Sequence, residues 1–447
     1  MVMRGLKGIR TYAAAALMLL VPSLGSAETV RLSLDEALEM ARDNNYSLKA
    51  AASRVEQAEA RYLQSRKAYL PSVTLSETVL HTTDPAAVFS YKLRQRVVNP
   101  DDLGKPELIN DPDALTHFQA GIEVMQPVFN LDALKGRKAA EAVVRSTGYE
   151  FERTGERIAL EVKKAYYALV LSRSNLDALN RSISAMERHD RQARQAYAKG
   201  LVTKSDKLST AVRLSELKEQ KMVVEDEIRN AQDALRFLLQ YDTDADIMPV
   251  DGLDVAVQAA FDTGEDVPVE RADLKALEAF TEAAAFRTQM AEAAALPRVN
   301  AFVQSNWNDD DVPGLDEHNW MVGLVVNWNI FNGYETIGRQ HEARAAERET
   351  RYRYQEAREQ SRYELHRASR MLQTAKARIG IARQALEEAR VSLDFIGERF
   401  RSGQAMTFEL LGREAAFTHA LMRLNKARYD YIMAGHELEY ARGRSVL

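Results

Sequence analysis

Hydrophobic residues recur along two stretches of this chain with a period of seven. Val162, Leu169, Leu176 and Ile183 form one row, and Ala165, Ser172, Leu179 and Met186 form a second. Two rows at heptad spacing face one seam of a long helix. The pattern returns with Leu365, Leu372, Ile379, Leu386 and Leu393 in one row and Ala368, Ala375, Ala382, Ala389 and Ile396 in the other. Val162 maps onto Leu365, 203 residues on. The rows keep register, so the chain reads as two copies of one coiled-coil-bearing unit.

A period of two marks four shorter stretches as strands. Ser72–Leu80 sets Val73, Leu75 and Val79 against Thr74, Ser76 and Thr78, with Glu77 interrupting the apolar face. His117–Phe129 sets Phe118, Ala120, Ile122 and Val124 against Gln119, Gly121, Glu123 and Met125. Arg298–Trp307 places Val299, Ala301, Val303 and Trp307 on one face, with Phe302 an exception on the other, and Trp320–Phe331 alternates in the same way. Between the first two strands lies a polar stretch with Pro85, Pro100, Pro106 and Pro112, predicted as a long loop.

Helices fill the rest. Ser33 and Glu36 have capping-box spacing, which predicts a helix from there to about Lys67, ended by Tyr69-Leu70-Pro71. No proline lies between Val128 and Met248, nor after Gly314, as long helices require. A first helix is predicted over Leu131–Lys199 and a second over Tyr334–Ser402, each roughly 100 Å long and broken by Gly200 and Gly403 respectively. Shorter helices are predicted over Lys204–Leu239, Arg271–Ala295 and Phe408–Tyr440. Each copy is then helix, strand, strand, long helix, short helix. The two shorter helices of a copy, stacked end to end, match the long one, which points to a layered tube.

The predicted organisation is a signal peptide over 1–27, a first repeat over 28–241, an acidic connector over 242–270, a second repeat over 271–441 and a tail over 442–447. Arg4, Lys7 and Arg10, the apolar run Ala13–Val21 and Gly25-Ser26-Ala27 carry the first of these. The expectation is therefore an exported chain whose membrane crossing is made by strands. Four strands of about ten residues suit a membrane wall, yet outer-membrane barrels start at eight strands and tolerate no open edge. Three chains sharing a twelve-stranded barrel satisfy both conditions.

Composition removes several alternatives. The 447 residues contain no cysteine, which excludes disulfides, thiolate metal sites and cysteine nucleophiles. A net charge of -5 gives no argument for nucleic acid. His341-Glu342 begins like a zinc-protease motif, but Ala345 stands where the second histidine is needed, and His436-Glu437 fails the same way at Tyr440. No glycine-rich phosphate loop and no serine elbow occur in the sequence. Asp309-Asp310-Asp311 reads as a solvated turn. No cofactor is expected.

At this point the sequence resembles the TolC-like outer-membrane efflux protein family, from about Leu32 to Ala441. The resemblance rests on Leu32-Ser33-Leu34-Asp35-Glu36-Ala37, on Leu70-Pro71 and its counterpart Leu296-Pro297, and on Pro127-Val128-Phe129-Asn130 and Asn329-Ile330-Phe331-Asn332-Gly333. It rests also on two tip motifs, Tyr197–Thr203 and Phe400–Thr407. It implies a mostly α chain with membrane β-strands, assembled as a homotrimer. Its twelve-stranded β-barrel, four strands per chain, is continued by a periplasmic α-helical coiled-coil barrel. It implies a non-enzymatic exit duct for efflux or type I secretion, working with a periplasmic adaptor and an inner-membrane pump. Gly200-Leu201 and Gly403-Gln404 are the implied adaptor-contact turns. Drug-exporting relatives often ring the entrance with an acidic pair three residues apart. Here Glu409 fills the first position but Gly412 the second, Ala405 replaces a frequent basic residue, and Asp206 is the matching acid of the first copy. Glu409 is thus either a selectivity carboxylate or a solvated helix-start residue. The competing class is a periplasmic coiled-coil adaptor or scaffold without a membrane barrel, which needs the hairpins but not the paired strands.

Overall fold

The computed structural model describes residues 29–241, 245–258, 261 and 271–444. The expected signal peptide lies outside the described residues, as do parts of the connector and tail. The chain begins with β1 (Thr29–Leu32), α1 (Leu34–Asn44) and α2 (Tyr46–Gln64). Ser33 and Glu36 form the expected capping box, with the Ser33 N–H donating to Glu36 at 2.8 Å. The single helix predicted from here is broken at Asn45. Its side chain accepts from the Ser47 and Leu48 N–H groups and donates to the Leu238 carbonyl at 2.8 Å, so it caps α2 and ties it to a distant helix.

β2 (Ser72–Thr82) is followed by α3 (Pro85–Arg94), α4 (Pro100–Gly104) and α5 (Pro106–Asn110). The predicted long loop is therefore helical in three pieces. Each opens with a proline in its first turn, where the missing N–H is no loss and the fixed φ suits a helix. β3 (Leu115–Phe129) leads into α6 (Leu131–Ala198), of 68 residues, and α7 (Lys204–Leu239), of 36. The connector holds β4 (Asp246–Pro249) and α8 (Leu253–Gln258), neither of them predicted; β4 pairs in parallel with β1. Then come α9 (Ala272–Ala293), β5 (Arg298–Asp309), β6 (Glu317–Asn327), α10 (Glu335–Arg401) and α11 (Thr407–Arg442). The last strand stops four residues before the predicted Phe331. Asn327 pairs with Arg298, the first residue of β5, and Pro297 before it has no N–H to extend the ladder. The Trp328 indole instead donates to the Ala295 carbonyl at 3.0 Å.

β2, β3, β5 and β6 form one antiparallel sheet in that order, leaving β2 and β6 as its edges. Val73, Val124, Val303 and Val322 stand in one row across it, and Leu75, Ile122, Ser305 and Trp320 in the next. The opposite face carries the rows Ser76, Gly121, Asn306, Asn319 and Thr74, Glu123, Gln304, Met321. Phe302, out of pattern in the sequence, sits on this polar face opposite Gly323; a Cβ there would lie 2.7 Å from the Phe302 ring. The glycine makes room for the aromatic ring, a cross-strand pairing that protects an otherwise bare stretch of strand. Glu77 shares its row with Ala120, Trp307 and His318, toward the end of the sheet away from the long helices, beyond the apolar rows.

Below the sheet the helices form a layer. α6 lies between α2 and α9 in its first half and between α7 and α11 in its second. α10 packs on α9 and then on α11, so the two shorter helices do stack end to end along it. The predicted seams are the buried ones: Val162, Leu169 and Leu179 on α6 and Leu372, Ala375 and Ala382 on α10. On one side of the layer, α1, β1, β4 and α8 make a small module held by Tyr166, which donates to the Leu32 carbonyl at 3.0 Å and to Asp251 at 2.8 Å. Burial pushes the Tyr166 hydroxyl far above its usual pKa, so it is a permanent donor here.

Candidate functional site

The two hairpins end in turns of the same construction. Gly200 and Gly403 adopt φ of +73° and +76°, the left-handed region where glycine is free of the Cβ penalty. At the first tip the Leu201 N–H reaches back to the Ala196 carbonyl at 2.9 Å. At the second the Gln404 N–H reaches the Arg399 carbonyl at 2.7 Å. These six-to-one bonds, with Gly200 on Tyr197 and Gly403 on Phe400, close a Schellman-type end on each long helix. Leu201 is left 73% exposed at the first tip, and Met406 and Phe408 stand out at the second.

The two candidate entrance carboxylates occupy matching places at the start of the return helices. Asp206 accepts from the Thr203 N–H at 3.1 Å and hydroxyl at 2.7 Å, while its own N–H donates to the Thr203 hydroxyl. Glu409 accepts from the Met406 N–H at 2.9 Å. Both therefore cap helices, a role legible in Thr203-x-x-Asp206 but not drawn from the sequence. Capping does not remove the charge. The Thr203 hydroxyl and N–H hold the Asp206 carboxyl below its usual pKa, with Thr407 of the other tip adding to the effect, so it stays ionised. His189, near the end of α6, lies 3.5 Å from Glu414 and edge-on to Phe400, which sets the two hairpin ends side by side. Gly412 follows one turn behind Glu409, with nothing within 4 Å of where its Cβ would lie.

Midway along the wall, where α9 begins beside the end of α11, the chain buries an ionic cluster that the sequence did not reveal. Arg271 donates to Asp273 at 2.6 Å and to Glu364 at 2.5 Å. Arg153 lies over the Tyr440 ring, its carbon 3.6 Å from the centroid, and donates to Glu156 at 2.6 Å. Burial pushes the Asp273 carboxyl up, but Arg271 and Arg153 override it and hold it below the ordinary range. Glu364 is held down likewise, burial being outweighed by Arg271 and Gln360. Asp309 is satisfied by its own turn, accepting from the Asp310 N–H at 2.7 Å.

No described helix is long and apolar enough to cross a membrane. The exposed apolar surface lies on the sheet instead, where Leu75, Val322, Leu324 and Val326 all project from one face. The model of the family described as "Outer membrane efflux protein" matches residues 37–239 and 265–444, taking in all four strands and both hairpins. The chain belongs to this family. It is 21% identical to the outer membrane protein TolC of Vibrio cholerae over 428 residues, covering 92% of this chain and 90% of TolC. It is 20% identical to the alkaline protease secretion protein AprF of Pseudomonas aeruginosa, over 73% of this chain and 69% of AprF. Its fold is that of the CmeC outer membrane channel of Campylobacter jejuni, with a TM-score of 0.78 at 16% identity, covering 92% of this chain and 86% of CmeC. As a member of the efflux family it is an outer-membrane exit duct of a Gram-negative cell, with a large helical part in the periplasm. The adaptor-or-scaffold reading has no support, because the match includes the strands as well as the helices.

Proposed function

We propose that three copies of this chain close a twelve-stranded barrel in the outer membrane and a helical tunnel below it. This trimer would pass substrate outward from an inner-membrane pump through a periplasmic adaptor. The observation that carries the reading is the four-stranded sheet with an apolar face and two unpaired edges. Unpaired N–H and C=O groups are not tolerated in lipid, so β6 of one chain must meet β2 of the next. The helical layer is incomplete in the same sense. α6 is flanked on both sides, whereas among the described residues α10 packs mainly on α9 and α11 and leaves Tyr352, Tyr363, Ile381 and Phe395 exposed. The face of α2 and α7 from a second chain, with exposed Leu208, Val212 and Met222 on α7, supplies the missing flank.

In this reading Gly200-Leu201 and Gly403-Gln404 are the turns that meet the adaptor, and Glu409 with Asp206 lines the entrance. The relationship to AprF, an alkaline protease secretion protein, favours protein secretion as one cargo class, and membership of the efflux family keeps efflux beside it. The test is the mass of the detergent-solubilised complex by light scattering, together with conductance in a planar bilayer. A protein mass three times that of the mature chain, with channel events, is expected. A stable monomer or dimer refutes the assembly.

A further inference from the structure

At the mid-height junction the helical layer carries a groove on the side away from the small module. Tyr166 and Arg428 face the module, Arg428 pairing with Asp254 at 2.6 Å. Lys164 and Asp430 each lie two residues away, about 200° around their helices, and line the groove. Two adjoining hollows, of about 690 Å³ and 510 Å³, share Lys164, Arg367, Met371 and Glu437 and so form one continuous depression along α10 and α11. Three copies of the module would fill a tunnel from within, so the module stands outside and the groove faces the lumen.

The charges of the groove do not cancel. Six cationic side chains line it against four carboxylates. All four carboxylates are committed: Glu437 to Lys164 at 3.1 Å, Asp430 to Arg378 at 2.9 Å, and Asp273 and Glu364 to Arg271. Arg367 and Arg370 remain, exposed and without an ion pair among the described residues. Beside them Met371, Tyr429 and Met433 offer apolar and aromatic surface. A guanidinium fork matches planar or branched anionic groups, and its weak hydration lets it pair where an ammonium would not.

We propose that this groove is a binding site for amphiphilic organic anions on the inner wall of the duct, with Arg367 and Arg370 holding the anionic group and Met371, Tyr429 and Met433 the apolar body. Its position in the lumen rests on the duct reading; its lining comes from one chain, with Arg367 inside and Arg370, seven residues from Tyr363, on the rim toward the next chain. Anionic cargo would dwell here on its way out, and cationic cargo would pass without this contact.

The probe is naphthalene-1,5-disulfonate, titrated by calorimetry into the full chain in a non-ionic detergent. Saturable binding that weakens with added salt is expected. The double variant Arg367→Gln, Arg370→Gln should bind roughly tenfold more weakly, the sum of two partly exposed charge contacts. Arg367→Lys with Arg370→Lys should recover only part of the affinity, since an ammonium keeps the charge but lacks the fork, and Lys376→Gln, on the exposed outer side of α10, should keep all of it. Circular dichroism and complex mass confirm that the variants fold. Absence of saturable binding to the wild type overturns the proposal, and so does equal binding by the double Gln variant or by a naphthyl trimethylammonium of similar size. A wrong assembly would show separately, in the complex mass and in missing conductance, with the calorimetric result standing by itself.

Discussion

Replacing Gly403 by valine isolates one physical term at the tip. A Cβ at this position meets no atom within 4 Å, so the chief cost is the backbone at φ +76°. For a residue with a Cβ that conformation costs about 1–2 kcal/mol, more for a β-branched one. Holding it in place are the exposed turn bonds, chiefly Gln404 N–H to Arg399 O at 2.7 Å and Gly403 N–H to Phe400 O at 3.1 Å, each worth about 0.5–1.5 kcal/mol net. Strain and restraint are comparable, so the turn opens locally. It does not unfold the protein, because Leu410 and Thr407 anchor the start of α11 in buried positions. Amide exchange over residues 396–408 should rise about 5- to 30-fold, with the melting of the whole complex unchanged. The series Gly403→Asn, Ala, Val should grade in that order, since asparagine tolerates the left-handed region best. Export through the adaptor should fall in the same order. Unchanged exchange in the valine variant, or a rise spread along all of α10, would rule out a local opening of this turn.

Arg271→Met should lower stability by roughly 2 kcal/mol, because it leaves Glu364 without its cation and Asp273 with Arg153 alone, 3.7 Å away, in a site where Arg271 is only 6% exposed. Both carboxyls have pKa values held below the ordinary range in the folded chain. Their contribution is therefore fully present above the unfolded carboxylate pKa and is lost as pH falls through the lowered values. Melting temperature should drop below about pH 4, and less steeply in Arg271→Met. At the entrance, three copies of Glu409 would focus a negative potential, so Glu409→Gln should reduce cation preference in reversal-potential recordings. Unchanged selectivity would leave Glu409 as a helix cap alone.

The sequence exposed whatever repeats or breaks a period. The heptad rows of α6 and α10, the alternation in four strands and the two glycines that end the long helices all fall where side-chain spacing is dictated by local geometry. Features set by distant partners stayed hidden. β1 and β4 have four residues each and find one another across some 200 residues. Asn45 breaks a helix because of a carbonyl on Leu238. Prolines 85, 100 and 106 read as loop residues because the same ring that ends a helix also starts one. Of the candidate site, the tip glycines were visible as turns. The capping by Asp206 lay in plain spacing behind Thr203, whereas that by Glu409 did not, because Met406 is not a capping residue. The junction cluster of Arg153, Arg271, Asp273 and Glu364 has no sequence pattern, since it joins three helices far apart in the chain.

In the proposed trimer the two edges of this sheet pair between chains. Within one chain β2 and β6 are separated by two intervening strands, about 14 Å at ordinary strand spacing, which is beyond the reach of a disulfide. The chain has no cysteine of its own, so introduced pairs report without background. Cysteines placed singly at Thr74, Ser76 or Thr78 on β2 and at Asn319, Met321 or Val325 on β6 scan the lumen-facing register. Oxidation of purified outer membranes should link at least one pair into covalent trimers on a denaturing gel, with nothing larger. Monomers throughout the scan, or an unbroken ladder past three, would contradict a barrel closed by three chains.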